Sequence, residues 1–302
     1  MSNSATIAAG TSSATTLAPA YTGNELGFKG SESIGDLTAD FQIHFGPSID
    51  QNGSPTSYQS HVGVKGAFGY ARVGKFFSPT FFNALAYNPV GLTAFGYDVA
   101  SGIDSSFGLK SNMLEYTLPA LVSGLSVTVA NQFGETAGAP TGNMTNWRIN
   151  YAVGAFSAGV SGATTKTSAS ASTRDSTMGA SYDMGMIKVM AYQTSSKGSA
   201  DSEAATGTSL GVSVPLGALT LGLQSTSGKQ KFNYYATQAA RLTDTKTAGT
   251  TADKSTGMML QAKYDLSKRT AVIFQNGSTK VSSGDNAGYA TKGTSLGLWH
   301  AF

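Results

Sequence analysis

A few residues in this sequence have the types and spacing that could do chemistry. Ser209 and Ser295 stand at the centres of Gly207-Thr-Ser-Leu-Gly211 and Gly293-Thr-Ser-Leu-Gly297, the Gly-x-Ser-x-Gly spacing of a nucleophile elbow. An elbow requires a sharp turn from strand into helix, and both matches run straight into alternating strand patterns, so neither serine is expected to act as a nucleophile. Gly69 to Lys75 has the glycine and lysine spacing of a phosphate loop, yet Phe76 stands where Ser or Thr is needed and no helix pattern follows. His44, His61 and His300 fall on separate segments without paired-ligand spacing. Asp50-Gln-Asn-Gly53 lacks the bidentate glutamate of a calcium loop, and no metal or other cofactor is expected.

The residues that remain act through charge alone, and what charge can do depends on which side of a strand carries it. Period-two alternation runs through segments of about ten residues fenced by turn residues. From Leu37 to Phe45, one face carries Leu37, Ala39, Phe41, Ile43 and Phe45 and the other Thr38, Asp40, Gln42 and His44. Trp147, Ile149, Tyr151 and Val153 oppose Asn146, Arg148, Asn150 and Ala152, and Met258, Leu260, Ala262, Tyr264 and Leu266 oppose Gln261, Lys263 and Asp265. A helical period of 3.6 would scramble these sets. The polar faces are rich in Gly, Ser, Thr and Asn and poor in the Lys and Glu that solubilise an outer surface, as suits a lumen needing room. Aromatic residues near strand ends (Phe45, Trp147, Tyr182, Tyr264, Phe302) suit membrane interfaces.

Composition agrees with this reading. Charged residues are 12% of the 302, half the usual share, while hydrophobic residues reach only 40%. The net charge of +3 comes from scattered basic residues, without the stripe a nucleic-acid partner requires. Cysteine is absent, which excludes disulfides, thiol catalysis and thiolate metal sites. No window approaches the ~18 apolar residues of a membrane helix, and the N-terminus has no leader pattern, so an exported chain would have lost its signal peptide. The expected fold is all-β, an antiparallel transmembrane barrel of about sixteen strands forming a single domain over residues 1–302. The first strand falls on Ala5 to Pro19, where the two faces contrast least.

Connections are expected to alternate between short turns, such as Ile34-Gly35-Asp36 and Ser267-Lys268-Arg269, and long polar loops, including Ser48 to Ser57, Ser168 to Ser176 and Phe232 to Lys254. The longest stretch without alternation is Ser78 to Ser111, opening at Ser78-Pro79, where proline ends strand hydrogen bonding. Its charged residues are Asp98, Asp104 and Lys110, and its aromatic residues Phe81, Phe82, Tyr87, Phe95 and Tyr97 either shape a constriction or pack the loop against a wall. With apolar faces toward lipid, the opposite parity lines the interior. It carries Lys29, Lys65, Arg72, Arg148, Lys188 and Lys263, with Lys75 if a bulge shifts its parity, and the acidic Glu25, Asp40, Glu115, Asp183 and Asp265. A narrow passage lined by one sign of charge selects ions of the other, and here the signs nearly balance.

Several motifs together resemble the general bacterial porins, in particular their β-proteobacterial branch. They are Glu25-Leu-Gly-Phe-Lys-Gly-Ser-Glu32, His61-Val-Gly-Val-Lys-Gly66, Gly69-Tyr-Ala-Arg-Val-Gly-Lys75, Asn112-Met-Leu-Glu-Tyr-Thr-Leu-Pro119, Tyr264-Asp-Leu-Ser-Lys-Arg-Thr270 and the ending Gly297-Leu-Trp-His-Ala-Phe302. The resemblance implies a water-filled, sixteen-stranded, homotrimeric outer-membrane channel for small hydrophilic solutes, with its third loop folded into the lumen and with outer-membrane lipid and lipopolysaccharide as its surroundings. Relatives often place an arginine just before the Leu-Gly-Phe-Lys-Gly segment and further basic residues near the start of the fourth strand and in the last strand. Here those places hold Glu25, Tyr58 with Gln59, and Trp299, so weak ion selectivity is expected. Two other readings compete: an outer-membrane barrel hydrolase with catalytic residues on its wall or rim, and a soluble all-β surface protein whose greasy faces form a dry core.

Overall fold

The computed structural model describes residues 2–3, 15–16, 25–47, 56–91, 98–104, 106–199, 204–230, 252–284, 287–288 and 290–301. Phe95, Tyr97, Phe302, the Asp50–Gly53 segment and most of the expected first strand, Ala5 to Pro19, lie outside these residues. Two dipeptides come first, β1 (Ser2–Asn3) and β2 (Thr15–Thr16). The N-terminal wall is β3 (Leu26–Ile34), β4 (Leu37–Gly46), β5 (Thr56–Gly66) and β6 (Gly69–Phe77). A long inner loop follows, containing α1 (Pro79–Ala86) and a 3-10 turn at Ser101–Ile103. The middle strands are β7 (Leu109–Thr117), β8 (Leu125–Gln132), β9 (Met144–Val153), β10 (Phe156–Lys166), β11 (Ser172–Asp183) and β12 (Lys188–Gly198). The last are β13 (Ala205–Leu216), β14 (Leu219–Gln230), β15 (Asp253–Ser267), β16 (Thr270–Ser283) and β17 (Ala290–His300).

From β3 to β17 every strand pairs antiparallel with its neighbour in sequence, giving fifteen long strands in one sheet. β1 pairs with both β17 and β2, and among the described residues the ring is not closed. This order follows from the turns. Between Ile34 and Leu37 the chain reverses through Gly35, whose φ of 60° suits the right-handed twist of a two-residue hairpin. The connection between β10 and β11 is shorter than expected, because much of Ser168 to Ser176 belongs to β11, which brings Asp175 onto the wall.

The alternation separates two surfaces. Leu26, Phe28, Phe41, Ile43, Val62, Leu210, Met258 and Leu298 are exposed on the outer face, while Asn146, Ser161, Thr177, Ser209, Gln224 and Gln275 are buried on the inner one. A greasy exterior around a polar interior is the reverse of a soluble sandwich, and matches strands whose outer face meets lipid. Among the described residues, no helix is long and apolar enough to cross a membrane.

Candidate functional site

The interior is built around the inner loop, described over residues 78–91, 98–104 and 106–108. Strand β6 ends at Phe77, and Ser78 then caps α1: its hydroxyl accepts from the Phe81 amide at 3.3 Å, with proline at the first helical position, where no amide is needed. The helix turns an unusual face to the barrel. Thr80, Asn83, Ala84 and Tyr87 are buried against the wall: Asn83 Nδ2 donates to the Thr177 carbonyl at 2.8 Å, and the Tyr87 hydroxyl lies 3.2 Å from Ser157 Oγ and accepts from Asn150 Nδ2 at 2.5 Å. A polar wall demands a polar helix face.

Beyond the helix the loop is pinned by two buried aspartates. Asp98 accepts from Asn88 Nδ2 at 2.8 Å, from the Ala100 and Ser101 amides at 3.1 and 3.2 Å, from Gln224 Nε2 at 3.0 Å and from the Tyr192 hydroxyl. Burial pushes its carboxyl up, and the Tyr192, Ser101, Gln224 and Ala100 hydrogen bonds pull it back. Asp104 accepts from the Ser106 amide at 2.9 Å, from Ser106 Oγ at 2.5 Å and from Thr177 Oγ1 at 3.3 Å. Burial first, and then the Asp175 carboxylate, push Asp104 up to about 6. Both residues were expected as charges of a constriction; the structure buries them between loop and wall, so they act as anchors. Lys110, expected within the loop, stands on β7 opposite Phe76, within electrostatic reach of Asp104 and Asp175.

Close approach of loop to wall depends on inward glycines. A Cβ on Gly179 would strike the Tyr87 ring, one on Gly211 would strike Pro89, and one on Gly207 would come within 2.6 Å of the Ala100 Cα. Val90 packs on Met259 of β15, and Phe76, Met113 and Ala130 form a second apolar contact under the loop's root.

Of the wall charges, several are paired. His44 Nδ1 lies 2.8 Å from Glu25, and His61 Nε2 3.3 Å from Asp40, which also accepts from the Tyr70 hydroxyl at 3.0 Å. Arg72 is bonded to Glu115 at 2.7 and 2.8 Å and lies over the Phe76 ring at 3.9 Å. Lys263 meets Asp265 at 2.7 Å, and Lys188 stands opposite Asp183 in register. Lys29 and Lys65 share the inward parity, opposite Gln42 and Thr38, and are exposed. Arg148 is inward between Thr128 and Ser161.

Lys75 departs from the wall. It stands opposite Ser60 on the parity of exposed Val73, and its Nζ donates to the Ser57 carbonyl at 2.8 Å. The irregularity beside it puts its extra residue into β7, where Asn112 takes a φ of 56°, and Lys75 keeps the parity of Val73. The sequence pattern also left unmarked the wall residues that grip the loop: Thr177, Tyr192, Gln224, Asn150 and Ser157. Their one signal was inward glycines recurring on neighbouring strands.

The elbow motifs lie within β13 and β17. Ser209 Oγ accepts from Gln224 Nε2 at 2.9 Å and Ser295 Oγ donates to Gln275 Oε1 at 3.5 Å, so both hydroxyls are engaged by side-chain amides. Among the described residues, no group of three or more His, Cys, Asp or Glu could hold a metal ion.

A sheet that is greasy outside and polar inside, with a loop folded into its interior, defines a transmembrane barrel channel. The chain belongs to the Gram-negative porin family, whose profile matches residues 1–285. It is thus an outer-membrane porin, a passive channel. A search of curated protein sequences returns no match. Among solved structures, the chain is similar to an anion-selective porin from Comamonas acidovorans at 21% identity, over 100% of this chain and 97% of that one, with a TM-score of 0.76. It is similar to OmpF of Salmonella typhi, solved with daunomycin, at 14% identity over 99% and 96%, TM-score 0.72. It is also similar to the outer-membrane channel DcaP of Acinetobacter baumannii at 14% identity over 99% and 94%, TM-score 0.66. At these identities the likeness carries the fold.

Proposed function

We propose that this porin is a weakly selective diffusion channel for small hydrophilic solutes and ions, working as a homotrimer within outer-membrane lipid and lipopolysaccharide, with no catalytic activity of its own. The observation that carries weak selectivity is the near balance of opposite charges along the wall: Arg72 pairs with Glu115 at 2.7 Å and Lys263 with Asp265 at 2.7 Å, while the acidic Glu25 and Asp40 are set against Lys29 and Lys65 on the same stretch of wall. Paired charges project little field into the passage, and field is what sorts ions. Lys29, Lys65, Arg148, Lys188 and Asp183 complete the pore-lining set on inward parity, with Asp98 and Asp104 holding the loop that narrows it.

The test is planar-bilayer recording in a salt gradient. Stepwise insertion with a reversal potential close to zero supports the proposal, and near-ideal preference for either ion overturns it. Insertion in groups of three, and a native mass of three chains, support the trimer; single steps with a one-chain mass refute it.

A further inference from the structure

The helix α1 turns its apolar side away from the barrel wall. Thr80, Asn83 and Tyr87 face the wall, so Phe82 and Leu85 project from the opposite side, with Leu85 37% exposed and Phe81 and Phe82 half-buried. In a water-filled lumen a polar residue at these places would be better solvated, and loop anchoring is already supplied by the buried face. The rings also continue across to the wall. Phe81 stacks on Phe77 at 4.0 Å, Phe107 tilts against Phe81 at 4.9 Å, and Phe82 stands edge-on to Phe81 at 5.6 Å. Tyr58 stands edge-on to Phe77 at 5.6 Å, within electrostatic reach of the Glu25 carboxylate.

We propose that this ladder of half-buried rings, ending in Glu25, is a solute subsite for a planar aromatic cation, an aromatic ring carrying an ammonium group. Stacked and edge-on rings offer their free faces to another flat ring, and an electron-rich face also attracts a cation. The carboxylate at one end gives the ladder a polarity: a ring stacked on Phe82, and so edge-on to Phe81, would direct its ammonium along the ladder toward Glu25. An aromatic carboxylate would meet that carboxylate with like charge. The subsite rests on the channel reading above and adds a specificity to it.

The experiment is single-channel recording on the complete protein with phenethylammonium, butylammonium and benzoate as probes. Phenethylammonium is expected to interrupt the open-channel current at concentrations at least about tenfold below butylammonium, with benzoate giving no interruptions in the same range. Phe81→Ser with Phe82→Ser should abolish the difference between the two cations, and Glu25→Gln should remove the preference over benzoate. Equal potency of the two cations in the unaltered protein overturns the aromatic part, and equal potency of benzoate overturns the charge part. Both comparisons stand even if a variant fails to fold. Open channels that no probe interrupts refute the subsite and leave the porin standing, whereas a folded barrel without conductance refutes the channel itself.

Discussion

Asp98 concentrates more of the loop's attachment than any other single side chain among the described residues. Removing its carboxylate in Asp98→Ala leaves Asn88, Tyr192 and two amides without this acceptor and Gln224 with Ser209 alone. Each buried group so stranded costs about 1–3 kcal/mol. The barrel strands would still form, so the expected outcome is a folded, heat-modifiable protein whose single-channel trace flickers as the loop detaches and rebinds. Asp104 predicts a pH dependence. Its pKa in the folded protein is raised above the ordinary carboxylate value, so the folded state holds the proton more tightly than the unfolded one. The seating of the loop is therefore firmest below pH 4 and weakens as the pH rises through the window up to about 6, where Asp104 ionises beside Asp175. Asp104→Asn should flatten that dependence, as read by channel noise against pH. Arg72→Ala leaves Glu115, 5% exposed, without its partner. The stranded carboxylate should shift the reversal potential toward cations and lower stability by about 3–5 kcal/mol in urea unfolding.

At the scale of the element, the inner loop and the strands beneath it fit as one piece. Gly179→Leu should drive Tyr87 off the wall and push α1 into the lumen, lowering single-channel conductance and costing about 1–3 kcal/mol from overpacking. Gly297 is also inward, but a methyl group there would meet nothing within 4 Å, so Gly297→Ala is the control and should leave conductance unchanged. This contrast also marks how far the sequence can be read. Strands such as β4 and β15 were legible because each outer residue meets lipid and each inner one does not, a difference that recurs at every second position. The start of the inner loop was legible at Ser78-Pro79 for an equally local reason. What lies under the loop was not. Gly179 and Gly297 look alike in the chain, and only the seating of α1 and Tyr87 decides which is a floor. The loop's path likewise turned Asp98 and Asp104 from lumen charges into anchors. The side taken by Lys75 was equally hidden, because it depended on which strand of the pair absorbs an extra residue, and that is settled across a hydrogen-bonded ladder.

For the whole molecule, the loop divides the lumen. The inward sides of β9 to β15 hold Asn150, Thr177, Tyr192, Gln224 and Met259 against the loop or beneath it, whereas β3 to β6 carry Lys29, Lys65, Asp40 and Arg72, with Glu25 just before β3. The sequence has no cysteine, so single cysteines report without background. Lys29→Cys and Lys65→Cys should react with a water-soluble thiosulfonate reagent and step the current, while Ser209→Cys and Gln224→Cys should stay silent. Rapid reaction at Ser209→Cys would show that the loop does not cover that side. Because the loop-bearing positions of β9 to β15 answer to packing while the open charges of β3 to β6 answer to traffic, one barrel is subject to two rates of tolerable change. Retuning the cargo by mutation would proceed first through the N-terminal strands and the pore-lining charges, leaving the loop-bearing positions to be inherited as scaffold.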